Sequence, residues 1–350
     1  MTQVIPRVEV FDAYWNFVIE RQKIFYRRLH GYPEPWTEDK ILGNHRFCNV
    51  YRASDRVSQY LIKHVIYGKH LSREPEDIVF RILLFRFFNL ESTWDLLEKL
   101  YGDPRISNFD VETWYKGMET GSQGRGLFNG AYMLCGIKTH GYDRKHGNYL
   151  GLVNDMVQGG TIQKILGAGS MGEIYRELNK YPLVGKFLSY QIATDLNYSD
   201  VVTMDDDSFT MAGPGAERGI QKVFSDAGGK SPEYLIQWMR ENQEAELTKR
   251  GYPLELAWLW GKPLQNIDIQ NCFCETDKYC REKFPGLGGE GSPKKIKQGF
   301  KSASKPRTEN LFYPPKWGIN GKLKKLPPVE KLLGNIPEEE ELPWFMGPSS

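Results

Sequence analysis

This 350-residue sequence is short of the features that mark membrane, secreted and metal-bound proteins, and each shortage removes a class of function. No stretch approaches the run of about 18 apolar residues that a membrane-spanning helix needs. The opening MTQVIPRVEVFDAYW has no basic region followed by an apolar run. Both absences predict a soluble intracellular protein with no membrane partner, nuclear in a eukaryotic host and cytoplasmic otherwise. Five cysteines, Cys48, Cys135, Cys272, Cys274 and Cys280, contain no Cys-x-x-Cys pair, and their odd number without a leader predicts reduced thiols, with no metal site and no cofactor. Charge of one sign is also missing: 46 Lys and Arg face 44 Asp and Glu, net +2, so nucleic acid has to be held by local patches. Strand signals are few and no internal repeat is visible. A complete phosphate loop is absent as well, because Gly229-Lys230-Ser231 ends like one while Phe224 stands where its first glycine belongs. Gly167-Ala168-Gly169-Ser170-Met171-Gly172 has the spacing of a kinase or dinucleotide glycine loop, but neither a preceding strand nor His-Arg-Asp and Asp-Phe-Gly accompany it.

What is present is helical periodicity and an ample core: 40% of residues are apolar and 13% aromatic. Phe11, Trp15, Val18, Phe25 and Leu29 recur at helical spacing over 8–29, and Gly31 closes that element. The same reading predicts helices over 46–66, 75–89, 91–101, 183–196, 215–225 and 263–281, and one from Ser231-Pro232 to Gly251. Glycine-rich stretches 119–130 and 158–172 read as loops bordering a cleft. Near 286 the composition changes to Gly, Ser and Lys. The expected organisation is a helical domain over 8–285 and a basic, Pro-rich, partly disordered linker and tail over 286–350.

Several constellations carry possible chemistry. In RFCNVYRASDRVSQYL a helical projection places Asn49, Arg52, Asp55 and Arg56 on one arc, either a phosphate-binding face or a solvated face with internal salt bridges. Arg81 and Arg86 lie in IVFRILLFRFFNLESTW, apolar on nearly all sides, so they require carboxylates or a polar cavity; Asn89 at its end caps or lines a pocket. Residues 191–224 join Asp195-Leu196-Asn197-Tyr198 to Gly213-Pro214-Gly215 opening a helix, where backbone N–H groups, the helix dipole and Arg218 suit an anion. In DIQNCFCETDKYCREKF, Asp268, Asn271, Glu275 and Lys278 form a polar stripe, with Asp277 and Arg281 beside it, fit for acid–base work or for surface pairing. His140 and His146 sit in the loop-like THGYDRKHG.

Taken in order, RFCNVYRASDRVSQYL, LLFRFFNLESTW, YQIATDLNYS, AGPGAERGIQKVF and CETDKY resemble the helical domain associated with phage 5-hydroxymethyl-deoxyuridine DNA kinases, also described as the alpha-glutamyl/putrescinyl thymine pyrophosphorylase group, over about residues 10–285. The resemblance implies a mainly α fold related to helix-hairpin-helix DNA glycosylases, with an extended C-terminal tail, acting on DNA that contains a modified pyrimidine. Its motif positions here are Arg46, Asn49, Arg52, Asp55 and Arg56; Asn89; Asp195 and Asn197; Gly213, Gly215, Arg218 and Gly219; and Glu275, Asp277, Lys278 and Tyr279. Without a phosphate loop the chain is expected to be an enzyme but not a kinase, with any DNA kinase a separate partner. The expected reaction replaces a pyrophosphate on 5-hydroxymethyluracil with an amine or amino acid. Excision of the base by a glycosylase and non-catalytic reading of modified DNA are the alternatives. On the transfer reading Arg52 and Arg56 hold the leaving pyrophosphate, Asp195 or Glu275 takes the amine proton, and Lys278 belongs to the same acid–base group. Asp195 or Asp268 serves the glycosylase, and the Gly213–Gly219 hairpin grips the DNA backbone around a flipped base.

Overall fold

A computed structural model describes residues 4–130, 138–288, 293–300 and 310–333. Cys135 and the remainder of the expected tail lie outside them. The described residues are mainly helical, and their only sheet pairs Ile5–Pro6 with Phe224–Asp226 antiparallel. The chain forms two compact units. One comprises the described residues of Met1–Asp55, Ala212–Leu311 and Ile319–Ser350, the other Arg56–Met211 and Phe312–Gly318.

In the first unit the Val8–Leu29 helix buries Val10, Phe11, Tyr14, Trp15, Phe17 and Val18. These meet the Asn266–Lys283 helix through Tyr14 and Phe273, ring centroids 4.8 Å apart, and meet Phe224 through Phe11. Burying each such side chain stabilises the unit by about 1.5–3 kcal/mol. The Pro214–Val223 helix lies closer still to Asn266–Lys283. A Cβ on Gly215 would fall 2.3 Å from Cys274 Sγ, and one on Gly219 would fall 2.0 Å from the Phe273 carbonyl oxygen. Ser231 begins the Pro232–Lys249 helix as its spelling predicts, accepting the Tyr234 N–H at 3.2 Å with Pro232 in the first turn.

In the second unit the Pro75–Phe88 helix is buried from Ile78 to Phe88 and is packed by Lys145–Gln158, Thr161–Leu166 and Lys186–Leu196. Its two arginines find the partners that burial demands. Arg81 donates to the carbonyls of Val65 (3.2 Å) and Ser72 (2.7 Å) and lies 3.6 Å from Asp103; Arg86 pairs with Asp195. Val65 belongs to a π-helical stretch, Leu61–Ile66.

Two expected elements take other forms. The stretch 158–172 contains a helix, Thr161–Leu166, and its glycine-rich end is a cap: Ser170 Oγ accepts from Glu173 N–H, and the Glu173 carboxylate accepts from Gly169 N–H. The THGYDRKHG segment enters the Lys145–Gln158 helix, which buries His146. The larger departure, over 46–66, shapes the site.

Candidate functional site

Residues 46–51 are not helical; the first turn is the 3-10 stretch Arg52–Ser54, followed by Arg56–Tyr60. Carboxylates take the backbone donors of this loop. Cys48 N–H goes to Glu275 (3.0 Å), Asn49 N–H to Asp55 (2.8 Å) and Arg52 N–H to Asp268 (2.9 Å). Side chains thereby replace the local bonds a helix would make. The single polar arc expected for Asn49, Arg52, Asp55 and Arg56 does not form. Arg56 belongs to the second unit, exposed and paired with Glu91.

Around Asn49 the first unit assembles a polar network from three directions. Its amide nitrogen donates to the Ser54 carbonyl at 2.7 Å and its carbonyl receives Asn271 Nδ2 at 2.9 Å. Its Oδ1 accepts from Arg21 Nη2 at 2.8 Å, while Arg21 Nε and Nη2 also reach the carbonyls of Cys48 and Phe47. Arg21 is 7% exposed, and among the described residues its Nη1 has no hydrogen-bond partner. Asp55 faces this guanidinium. Burial pushes its carboxyl up to about 6, against the opposing pull of the Asn49 N–H and of Arg21 and Arg52. A carboxyl that titrates near 6 in the field of a buried arginine is suited to exchange a proton with a hydroxyl. Beside it Glu275 pairs with Lys278 at 2.8 Å, and Lys278 Nζ lies 4.4 Å from the centre of the Phe47 ring.

The other residues of the 268–281 stripe have structural partners. Both oxygens of Asp268 accept backbone N–H groups, from Arg52 and from Gln265, where it closes a helix cap. Tyr279 donates to Asp39 at 2.6 Å; burial first, then this carboxylate, raises its hydroxyl well above the usual range. Asp277, 1% exposed, is met by Arg218 (3.2 Å), Lys222 (2.8 Å) and Arg281 (2.7 Å). Burial favours its neutral form, but Lys222 and Arg281 overcome that and hold its pKa below the ordinary carboxylate value.

Gly215 and Gly219, expected in a phosphate cradle, face Cys274 and Phe273, and closeness between helices accounts for both. Gly213 caps the Pro214–Val223 helix, and Arg218 is a third exposed on its bond to Asp277. Arg46 is exposed.

In the second unit Asp195 is fully buried against Arg86, whose Nη1 donates to Asn89 Oδ1 at 3.0 Å. Asn89 ends the Pro75–Phe88 helix in the left-handed region, φ 51°. Asn197 accepts Met204 N–H (2.9 Å) and Lys316 Nζ (2.9 Å) and donates to Asp206 (2.6 Å). The Phe312–Gly318 segment is thus built into this unit, with Tyr313 buried, Trp317 Nε1 on Asp206 at 3.0 Å and Phe312 bonded to Gln59. Glu275 belongs to the first unit and Asp195 to the second.

Arg21 and Lys222 were not among the expected site residues. Arg21 had a signal: it falls three residues after Val18 and four before Phe25, a charge in line with an apolar stripe. Lys222 had none, since its partner lies on another helix.

Residues 8–289 match the family model described as 5-hmdU DNA kinase, helical domain. A curated relative, the 5-hmdU DNA kinase of Bacillus phage SP10, is 27% identical over 290 residues, 77% of this chain and 45% of the relative. The chain therefore spans a little under half the length of that relative. No solved structure matched. The expectation of an enzyme that is not a kinase is overturned, because the matched relative is itself named a DNA kinase. A glycine loop missing from a chain that covers less than half of its relative is no argument against that activity. Among the described residues no helix is long and apolar enough to cross a membrane.

Proposed function

The chain belongs to the family of the 5-hmdU DNA kinase helical domain, and from that membership we propose that it recognises 5-hydroxymethyl-deoxyuridine in DNA and holds the nucleoside for modification at its 5-hydroxymethyl oxygen. The family match carries the reading, since residues 8–289 contain every member of the Arg21, Asn49, Asp55, Glu275 and Lys278 network. Chemistry at a base substituent requires the nucleotide to leave the stack. The Arg21 guanidinium offers Nη1 to a substrate oxygen, and Asp55 accepts the hydroxyl proton as that oxygen attacks. On the kinase-type reading that the relative's name suggests, this oxygen attacks the terminal phosphorus of a nucleoside triphosphate, whose bond to the bridging oxygen breaks as the nucleoside diphosphate leaves. Loss of activity below about pH 6, as Asp55 takes up its proton, is the expected profile.

Competition binding with paired duplexes, one carrying 5-hydroxymethyluracil and one thymine, tests the recognition. The modified duplex is expected to bind at least about tenfold tighter, as a site that bonds a hydroxyl rejects the analogue lacking it. Equal affinities would sink the proposal. Nucleoside analysis with a nucleoside triphosphate present tests the chemistry: a phosphorylated nucleoside supports the kinase-type reading. An abasic site, or an amine-substituted nucleoside formed from the pyrophosphate ester, would replace it.

Asp55 also sets a pH dependence of stability. Its folded value of about 6 lies above the ordinary 3.8, so the folded state binds the proton more tightly than the unfolded state. The stabilisation this gives is complete at acid pH and is lost as pH rises from about 4 through about 6. Asp55→Asn keeps an acceptor for the Asn49 N–H and is expected to flatten that decline in urea midpoints. An unchanged slope would place the titration elsewhere.

A further inference from the structure

We infer that residues 293–300, together with Arg46, Arg281 and Arg218, form a preorganised surface for the phosphate backbone of duplex DNA. In sequence, PKKIKQGF reads as part of a free basic linker. In the first unit it is held at three points. Gly299 pairs with His45 in an antiparallel bridge, through Arg46 N–H to the Gln298 carbonyl (3.0 Å) and Phe300 N–H to the Asn44 carbonyl (2.8 Å). Ile296 is buried to 8% exposure. Arg281 Nη1 reaches the Lys295 carbonyl at 3.5 Å while its Nη2 bonds Asp277, which also holds Arg218.

Lys294, Lys295 and Lys297 are exposed on this pinned segment, and Arg46 is exposed beside it. Asp277 is buried beneath its cations, and Glu217 and Glu282 are the exposed acids nearest in sequence to Arg218 and Arg281. Six cations outnumber these acids. A solvated charge run has no reason to be fixed by backbone pairing and a buried isoleucine. Fixing it removes the ordering cost that a flexible linker would meet on binding a regular polyanion. Duplex DNA, with one charge per about 1.7 Å of axis, matches such a row by releasing counterions for each phosphate contacted. DNA as the partner rests on the function proposed above.

The test is the salt dependence of duplex binding by the full chain and by the triple variant Lys294→Gln/Lys295→Gln/Lys297→Gln, whose exposed positions leave folding essentially unchanged. Each lost phosphate contact lowers the slope of log K against log salt by about 0.9. A fall of about 1–3 is expected, with the same fractional loss of affinity for thymine and 5-hydroxymethyluracil duplexes, because phosphate contacts carry no base information. A variant with the wild-type slope and affinity overturns the surface, as does a wild-type chain that binds neither duplex. A wild-type chain that binds both duplexes equally removes the recognition proposal, while a reduced slope in the variant still upholds the surface.

Discussion

Gly219→Ala is expected to destabilise the first unit by about 3 kcal/mol, at the upper end of what overpacking costs. Alanine would ordinarily help a mid-helix position by about 1 kcal/mol through backbone entropy. Here the added carbon would sit 2.0 Å from the Phe273 carbonyl oxygen, a main-chain atom inside the Asn266–Lys283 helix that no side-chain rotation can move. The helices have to separate, and the bonds from Arg218 and Lys222 to Asp277 stretch with them. Gly215→Ala meets Cys274 Sγ instead, at 2.3 Å, and a thiol can rotate away, so a loss of about 1 kcal/mol is expected there. Urea midpoints with unchanged slopes measure both. A Gly219→Ala protein with the wild-type midpoint would mean that the two helices do not approach so closely.

The same glycines mark how far the sequence was legible. A Gly-Pro-Gly turn opening a helix reads locally as an anion cradle, and its helix is where the spelling put it. What the local reading cannot include is the second helix, more than forty residues downstream, whose backbone leaves no room for a Cβ. The stretch 46–66 shows the complementary failure. Its apolar spacing fits a helix, yet Glu275 and Asp268 arrive from a distant helix to take the N–H groups of Cys48 and Arg52, and tertiary bonds displace local ones. Features whose partners lie nearby in the chain were readable: Ser231-Pro232 as a helix start and Arg281 four residues beyond Asp277. The need of Arg81 and Arg86 for buried partners was readable too, but not that Asp103 and Asp195 meet it. Arg21 lies between these cases, visible as a misfit in an apolar stripe but without meaning until Asn49 and Asp55 stand beside it.

Removing either member of the Arg86–Asp195 pair is expected to cost the second unit about 3–5 kcal/mol, because the survivor stays buried without the opposite charge it is paired with. Asp195→Ala leaves a buried guanidinium without its carboxylate, and Arg86→Met leaves a fully buried carboxylate without its guanidinium. The double variant Arg86→Met/Asp195→Leu removes both charges and fills the volume, so thermal melts should show it recovering most of the loss. Replacing a buried ion pair by apolar residues is often neutral or better. This recovery separates two roles that a single substitution confuses. Asp195 is in the same motif as Asn197, and an inactive Asp195→Ala would be equally expected of a catalytic base and of a strut whose loss unfolds the protein. The double variant is expected to fold without either charge. With both Asp195 oxygens inside the unit and its charge answered by Arg86, we expect the double variant to keep its preference for the 5-hydroxymethyluracil duplex. A double variant that melts like wild type and yet has lost that preference would instead place the Arg86–Asp195 pair in the recognition of the modified base.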